Sequence, residues 1–217
     1  MNTNPNSIKV LCYGDSNTWG QTPDKTGRQA ADLRWTGLLQ NKLGDDYYVV
    51  EEGLPSRTTD LDYGKRPGRN GKAYLLPCLA SHAPIDIIVL MLGTNDLKTV
   101  YNRSPQEIAN AIKDLIDIVK QFGSYMDGEA PKIIIASPIH VDINAPEFRN
   151  FYSNNYDDSA GKKSEELAYF ISNVAASQGC EFLDAARVAK PGIDGIHLSS
   201  VSHSPLADTI YDKIQAF

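Results

Sequence analysis

Three side chains at opposite ends of the chain have the types that nucleophilic catalysis requires. Ser16 follows the apolar run Val10-Leu11-Cys12-Tyr13 in Gly14-Asp15-Ser16-Asn17, and Asp194-Gly195-Ile196-His197 lies near the other end. A serine hydroxyl at its ordinary pKa is a poor nucleophile until a neighbouring base takes its proton. His197 is the candidate base and Asp194 the acid that orients it. His82, His140 and His203 are rival bases, with Asp208 near His203. His203 falls in the opening of a predicted helix and reads as a surface or capping residue. His140, just past a predicted strand, reads as a structural histidine or a pocket-lining one.

The elements that must position these groups follow from periodicity. Apolar runs at Ile8 to Tyr13, Tyr47 to Glu51, Ile85 to Leu92, Lys132 to Ser137 and Cys180 to Leu183 read as five strands. Ile87 to Leu92 and Ile133 to Ala136 are continuous rather than alternating, as in parallel strands covered on both faces. Helical spacing recurs between them over Leu33 to Leu43, Ala73 to Ser81, Pro105 to Phe122, Ala160 to Gln178 and Ser202 to Gln215. Ser104-Pro105-Gln106-Glu107 sets a capping Ser before a Pro at the first helical position, and Ile108, Ile112, Leu115, Ile116 and Val119 form one apolar stripe. The strand–helix alternation predicts a three-layer α/β/α domain with a five-stranded parallel sheet, spanning 1–217 with residues 1–7 as a flexible tail. Such sheets bind ligands beyond the carboxyl ends of their strands. Ser16, Gly53, Asn95 and His140 follow the first four strands, and Asp194 and His197 follow the fifth.

Of the 217 residues, 41% are hydrophobic and 22% charged, which fits a globular domain and excludes a disordered or collagen-like class. The net charge of -6 and the lack of a Lys/Arg cluster exclude a nucleic-acid binder. Cys12, Cys78 and Cys180 are odd in number and widely spaced, so neither a disulfide framework nor a zinc site is indicated. Met1 to Ser7 is polar, no window is long and apolar enough for a membrane span, and the expected setting is cytoplasmic. G-x-S-x-G, G-x-x-x-x-G-K-[ST] and G-x-G-x-x-G are all missing after the strands, which argues against an α/β-hydrolase, a P-loop protein and a dinucleotide binder.

Other residues that mimic functional groups have simpler readings. Asp15 beside the serine fixes its turn through backbone hydrogen bonds rather than holding a metal. Asp60 and Asp62 resemble a D-x-D motif without a third ligand and read as solvated. Arg57 is expected to pair with an acidic neighbour behind Gly53. Trp19 is either an aromatic wall or core. Phe148, Phe151, Tyr152 and Tyr156 belong to a long irregular segment of the kind that forms lids or binding loops.

Gly14-Asp15-Ser16, Gly53, Gly93-Thr94-Asn95-Asp96 and Asp194-x-x-His197 resemble, in order and separation, the four blocks of the SGNH, or GDSL, hydrolase superfamily. Arg34-Trp35-Thr36-Gly37, Glu51-Glu52-Gly53-Leu54, Ser56-Arg57-Thr58-Thr59 and Met91 to Asp96 are similar to its bacterial arylesterase/acyltransferase branch. The resemblance implies a flavodoxin-like SGNH fold and a carboxylic-ester hydrolase for short-chain or aryl esters working through an acyl-enzyme, with acyl transfer to alcohols or peroxide as a further activity. It implies Ser16, Asp194 and His197 as catalytic residues. An oxyanion hole is implied from the Ser16 and Gly53 N–H groups and the Asn95 amide, and a substrate pocket from Asn17, Trp19, Leu54, Thr94, Phe148 and Ile196. No cofactor and no metal are implied, the partner is a small-molecule ester, and homo-oligomers are common in the branch. The chain departs from the branch at Asn17, where Leu is usual. Two readings compete with this one: a carbohydrate O-deacetylase on the same scaffold, and a flavodoxin-like binding module without catalysis.

Overall fold

The computed structural model describes residues 2–64, 66–125 and 129–217. The chain runs through β1 (Ile8–Gly14), α1 (Ser16–Trp19), α2 (Trp35–Leu43), β2 (Tyr47–Gly53), α3 (Gly71–His82) and β3 (Ile87–Met91). It continues through α4 (Pro105–Tyr125), β4 (Lys132–Ser137), α5 (Phe148–Tyr152), α6 (Ser159–Ser177), β5 (Glu181–Asp184) and α7 (His203–Gln215). Short 3-10 turns, among them Thr94–Leu97 after β3, complete it.

The strands form one parallel sheet in the order β2-β1-β3-β4-β5. Alternate residues of each strand feed different layers. Leu11 and Tyr13 of β1 and Ile88 and Leu90 of β3 pack with Leu75 and Leu79 of α3, Ile108 and Leu115 of α4 and Leu167 and Ile171 of α6. Val10, Cys12, Val89 and Met91 point the other way, against Leu39 of α2 and Leu206 and Ile210 of α7. Both faces of the central strands are therefore dry, and this explains why their sequences are continuous apolar runs instead of alternations.

Strand order reverses between β1 and β3, the switch point at which an open sheet leaves a crevice beyond its carboxyl ends. Gly14 is in register with Gly53 of β2 and Met91 of β3. The turns that carry Ser16, Gly53 and Asn95 thus leave the sheet side by side.

The expected helices and strands are present, with ends shifted by at most two residues except at the C-terminal end of α4, which runs three residues further. Ser104 and Glu107 form the capping box of α4: Ser104 N–H donates to Glu107 Oε2 at 2.8 Å and Glu107 N–H to Ser104 Oγ at 3.3 Å. Two helices are additional, α1 and α5, each a single turn too short to show a period. Residues 2–7, expected as a tail, are tied down: Asn2 Nδ2 donates to the carbonyls of Asp45 and Tyr47 at 2.8 and 2.9 Å. Met1 lies outside the described residues.

Candidate active site

Ser16 is placed by the turn that stops β1. Asp15 caps α1 by accepting the Asn17 N–H at 2.9 Å, so Ser16 becomes the first helical residue, and Trp19 N–H closes the turn on Asp15 O at 2.9 Å. The cap is backed by close approach of β2. A Cβ on Gly53 would stand 2.1 Å from Trp19 N, so no other residue fits there without displacing α1.

His197 is placed by a loop that Asp194 organises. Asp194 Oδ1 accepts the N–H groups of Ile196 and His197 at 3.0 and 2.9 Å, while Oδ2 lies 2.5 Å from His197 Nδ1. The turn needs Gly195, which has φ 74° and sits where a Cβ would meet Asp142 O at 2.1 Å. With Nδ1–H committed to the carboxylate, Nε2 is left as the acceptor, and it stands 2.9 Å from Ser16 Oγ. All three side chains are buried, with Asp194 fully so. Burial pushes the Asp194 carboxyl up, but the His197 hydrogen bond and charge and the two backbone donors outweigh it and hold the group below the usual carboxylate range.

Asn95, in the 3-10 turn after β3, directs Nδ2 towards Arg57 O at 3.1 Å and Asp15 Oδ2 at 3.3 Å. The second bond is long, so its hydrogen is the one available to a better acceptor in the crevice. Burial raises the Asp15 carboxyl, opposed by the Asn17 N–H and by the charges of His197, Lys98 and Arg57. Asp96 beside Asn95 is buried against the N–H and hydroxyl of Thr59 and the Arg103 guanidinium, and burial pushes its pKa up to about 6. It locks the β3 turn to the loop after β2.

Ser16, Asn95, Ile196 and His197 line a cavity of about 340 Å³, together with Phe151, Tyr152 and Tyr156 from the segment after β4. Tyr152 joins the Ser16–His197–Asp194 chain itself. Its hydroxyl donates to Asp194 Oδ2 at 3.1 Å and lies 3.3 Å from His197 Nδ1.

Residues 12–203 match the sequence profile of the GDSL-like lipase/acylhydrolase family. The chain belongs to that family. A carbohydrate acetylesterase from Sinorhizobium meliloti, Est24, superposes with a TM-score of 0.87 at 37% identity, covering 97% of this chain and 99% of that one. The native aryl esterase of M. smegmatis gives 0.87 at 36%, with 97% and 99% coverage. A lipase/acylhydrolase from Enterococcus faecalis shares the fold at a TM-score of 0.70 and 19% identity, over 96% of each chain. No curated protein sequence matches the chain. Family and neighbours together make this GDSL-like hydrolase a carboxylic-ester hydrolase of the SGNH superfamily, in its bacterial arylesterase branch.

Several expected pocket residues of this GDSL-like hydrolase do not face the cavity. Asn17 is buried and laces two loops together: its Nδ2 donates to Ile196 O at 3.2 Å and its Oδ1 accepts Leu198 N–H at 2.8 Å. Trp19 lies under the Arg28 guanidinium, 5.3 Å from its ring centre, outside the lining. Leu54 returns its N–H to Gly14 O at 3.1 Å, so that Pro55 and Ser56 reach the cavity in its place. Thr94 is buried behind Asn95, with its carbonyl accepting from Tyr156 Oη at 3.3 Å. Phe148 is core, packed at a tilt against Tyr152 and Tyr156 at centroid distances of 6.1 and 6.3 Å. Of that set, Ile196 lines the cavity.

Other expectations are also revised. His203 is not a surface residue but a buried acceptor: its Nδ1 takes the N–H of Trp35 at 3.2 Å, capping α2 where Arg34 offers no side-chain cap. Burial lowers its pKa to about 4. Asp60 is not solvated, because Arg103 pairs with it at 2.7 Å, whereas Asp62 is exposed. Arg57 is held mainly by carbonyls, those of Gly14 (2.9 Å) and Glu52, with Glu52 Oε2 at 3.9 Å. His140 is half-buried and outside the lining.

Glu52, Cys78 and His82 are the one trio of potential metal ligands among the described residues. Burial pushes the Cys78 thiol up to about 12, and Arg57 supplies positive charge beside Glu52, so the trio is a poor cation site. Reasoning from sequence missed Tyr152 as a partner of Asp194 and missed Lys25, Arg66 and Lys98 as cavity residues. Nothing in their local sequence separates them from solvated side chains.

Proposed function

We propose that the protein hydrolyses short-chain esters through an acyl-enzyme on Ser16. The observation that supports this most is the continuous chain from Ser16 Oγ to His197 Nε2 (2.9 Å) and from His197 Nδ1 to Asp194 Oδ2 (2.5 Å) at the floor of a cavity. His197 takes the Ser16 proton as the oxygen bonds to the ester carbonyl carbon. The N–H groups of Ser16 and Gly53 and the Asn95 amide meet the resulting oxyanion, each such donor being worth about 3 to 4 kcal/mol. Collapse expels the alkoxide, which His197 protonates, and leaves the acyl group on Ser16. Water, deprotonated by His197, then attacks the acyl carbon, and a second collapse frees the acid and restores Ser16. Asp194 remains a carboxylate throughout, consistent with the donors that lower its pKa.

Initial rates on p-nitrophenyl acetate and butyrate, measured beside Ser16→Ala, test the reading. Turnover lost in the variant supports it, and full activity in Ser16→Ala removes Ser16 as nucleophile. A second reading, sugar O-deacetylation, is favoured by the polar lining and by likeness to a carbohydrate acetylesterase. Acetate release from acetylated sugars, without cleavage of aryl esters, would select it. A lining rich in charge favours water as acyl acceptor. Ester formation in dilute aqueous alcohol would instead show transfer.

A further inference from the structure

We propose that the cavity contains a carboxylate-recognition subsite, built by Lys98 with Lys25 and Arg66, that selects esters carrying a second, ionised carboxylate. The inference rests on the ester-hydrolase reading and adds the substrate class.

The chain has a net charge of -6, yet three cations and no described acid line the cavity that holds Ser16 and His197. Lys98 is the centre of the argument. Its residue is only 4% exposed, and its ammonium faces the Tyr63 ring at 3.9 Å. Among the described residues it forms no salt bridge. A buried ammonium ordinarily keeps a carboxylate beside it, because desolvation without a partner is unfavourable. Burial lowers the Lys98 pKa to about 8, with Arg66 adding to the effect and Asp15 and Asp96 only partly opposing it. Asp15 is already engaged by the Asn17 N–H and the Asn95 amide. The missing counter-charge is thus one that a ligand can supply.

Lys25 and Arg66 are exposed at the rim. The Lys25 ammonium sits over Phe151 and Tyr152, 4.0 and 4.1 Å from their ring centres, which holds the charge over the opening. Backbone strain gathers at the same place. Three described non-glycine residues have positive φ, and two of them, Lys25 (59°) and Ser56 (70°), line this cavity. A left-handed backbone is unfavourable for a residue with a Cβ, and strain of this kind persists where a surface is built for a ligand.

The test compares matched esters that differ in one charge. The alcohol-side pair is 4-acetoxybenzoate and methyl 4-acetoxybenzoate. The acyl-side pair is the p-nitrophenyl monoester of glutaric acid and its methyl-capped diester. The expected result is a preference of about tenfold in kcat/KM for the anionic member of one pair, carried by KM, since a fixed positive charge favours it in binding. Which pair responds shows on which side of the scissile bond the carboxylate sits. The ratio is expected to fall to about one in Lys98→Met and to survive in Lys98→Arg. In the wild type it should shrink several-fold between about 0.02 and 0.5 M salt, a readout that needs no variant to fold. Calorimetric titration of 4-hydroxybenzoate against methyl 4-hydroxybenzoate probes the subsite without turnover. Anion preference in binding with no ester cleaved would overturn the hydrolase reading alone. Equal binding, and equal rates within both pairs, would overturn the subsite.

Discussion

Asn17 Oδ1 accepts the N–H of Leu198 at 2.8 Å, and Asn17 Nδ2 donates to the carbonyl of Ile196 at 3.2 Å. One side chain, adjacent to Ser16, therefore grips the backbone on both sides of His197. The two loops it joins are 181 residues apart in sequence, the same separation that the Ser16–His197 contact spans. The polar residue at a position where this branch usually has Leu is thus a clamp on the His197 loop and has no part in the cavity wall.

Asn17→Leu should leave Leu198 N–H buried without an acceptor and let the His197 loop relax. The expected outcome is a loss of about 1 to 3 kcal/mol in stability, with kcat on p-nitrophenyl acetate reduced at least tenfold. Thermal unfolding and steady-state rates measured on the same preparation separate the two effects. Unchanged kcat in a folded variant would remove Asn17 from the positioning of His197.

Asn95→Ala removes a donor that the proposed mechanism uses only after the carbonyl oxygen becomes charged. The expected result is a fall in kcat of about 10²- to 10³-fold with KM nearly unchanged. A rise in KM at constant kcat would instead mark Asn95 as a ground-state binding group.

The parallel sheet, its two covered faces and the helix stripes were legible because burial on both sides writes long apolar runs, and because α4 carries its cap in four adjacent residues. Ser16, Asn95, Asp194 and His197 were legible because each follows a strand end in a short polar block. The cavity wall was not. Phe148 and Tyr152 sit in the same irregular stretch four residues apart, and one fills the core while the other reaches Asp194. Only the single turn of α5 decides which does which. Leu54 gives way to Pro55 and Ser56 in the cavity lining for a similar reason: the Leu54 N–H bonds back to Gly14 O, a contact that no local pattern encodes. That His203 caps α2 from the core, and not at the surface, was not legible because its partner, Trp35 N–H, is 168 residues away.

Tyr152→Phe keeps the ring packed against Phe148 and Tyr156 and removes the donor to Asp194 Oδ2. With one fewer hydrogen bond to the charged form, the Asp194 carboxylate holds the imidazolium less well oriented. Loss of kcat by about three- to tenfold is expected, with little change in melting temperature. A rate equal to wild type would confine Tyr152 to lining the cavity.

His203 titrates against folding. Burial lowers its pKa from 6.5 to about 4, so between those values the unfolded chain binds a proton that the folded chain refuses. Its stability contribution is therefore full above pH 6.5 and is lost progressively as pH falls towards 4, by about 3 kcal/mol in all. Asp96 acts in the opposite sense: burial raises its pKa to about 6, and the folded chain gains a proton, and stability, as pH falls through that value. The wild-type curve alone mixes the two contributions. His203→Asn removes one of them while offering Oδ1 to the Trp35 N–H, with Asp96 common to both proteins. Denaturant unfolding at a series of pH values should show the wild type losing stability relative to His203→Asn as pH is lowered from 7 to about 4.5. Parallel curves would mean that His203 takes up its proton in the folded chain as readily as in the unfolded one, which would detach the α2 cap from the acid sensitivity of the fold.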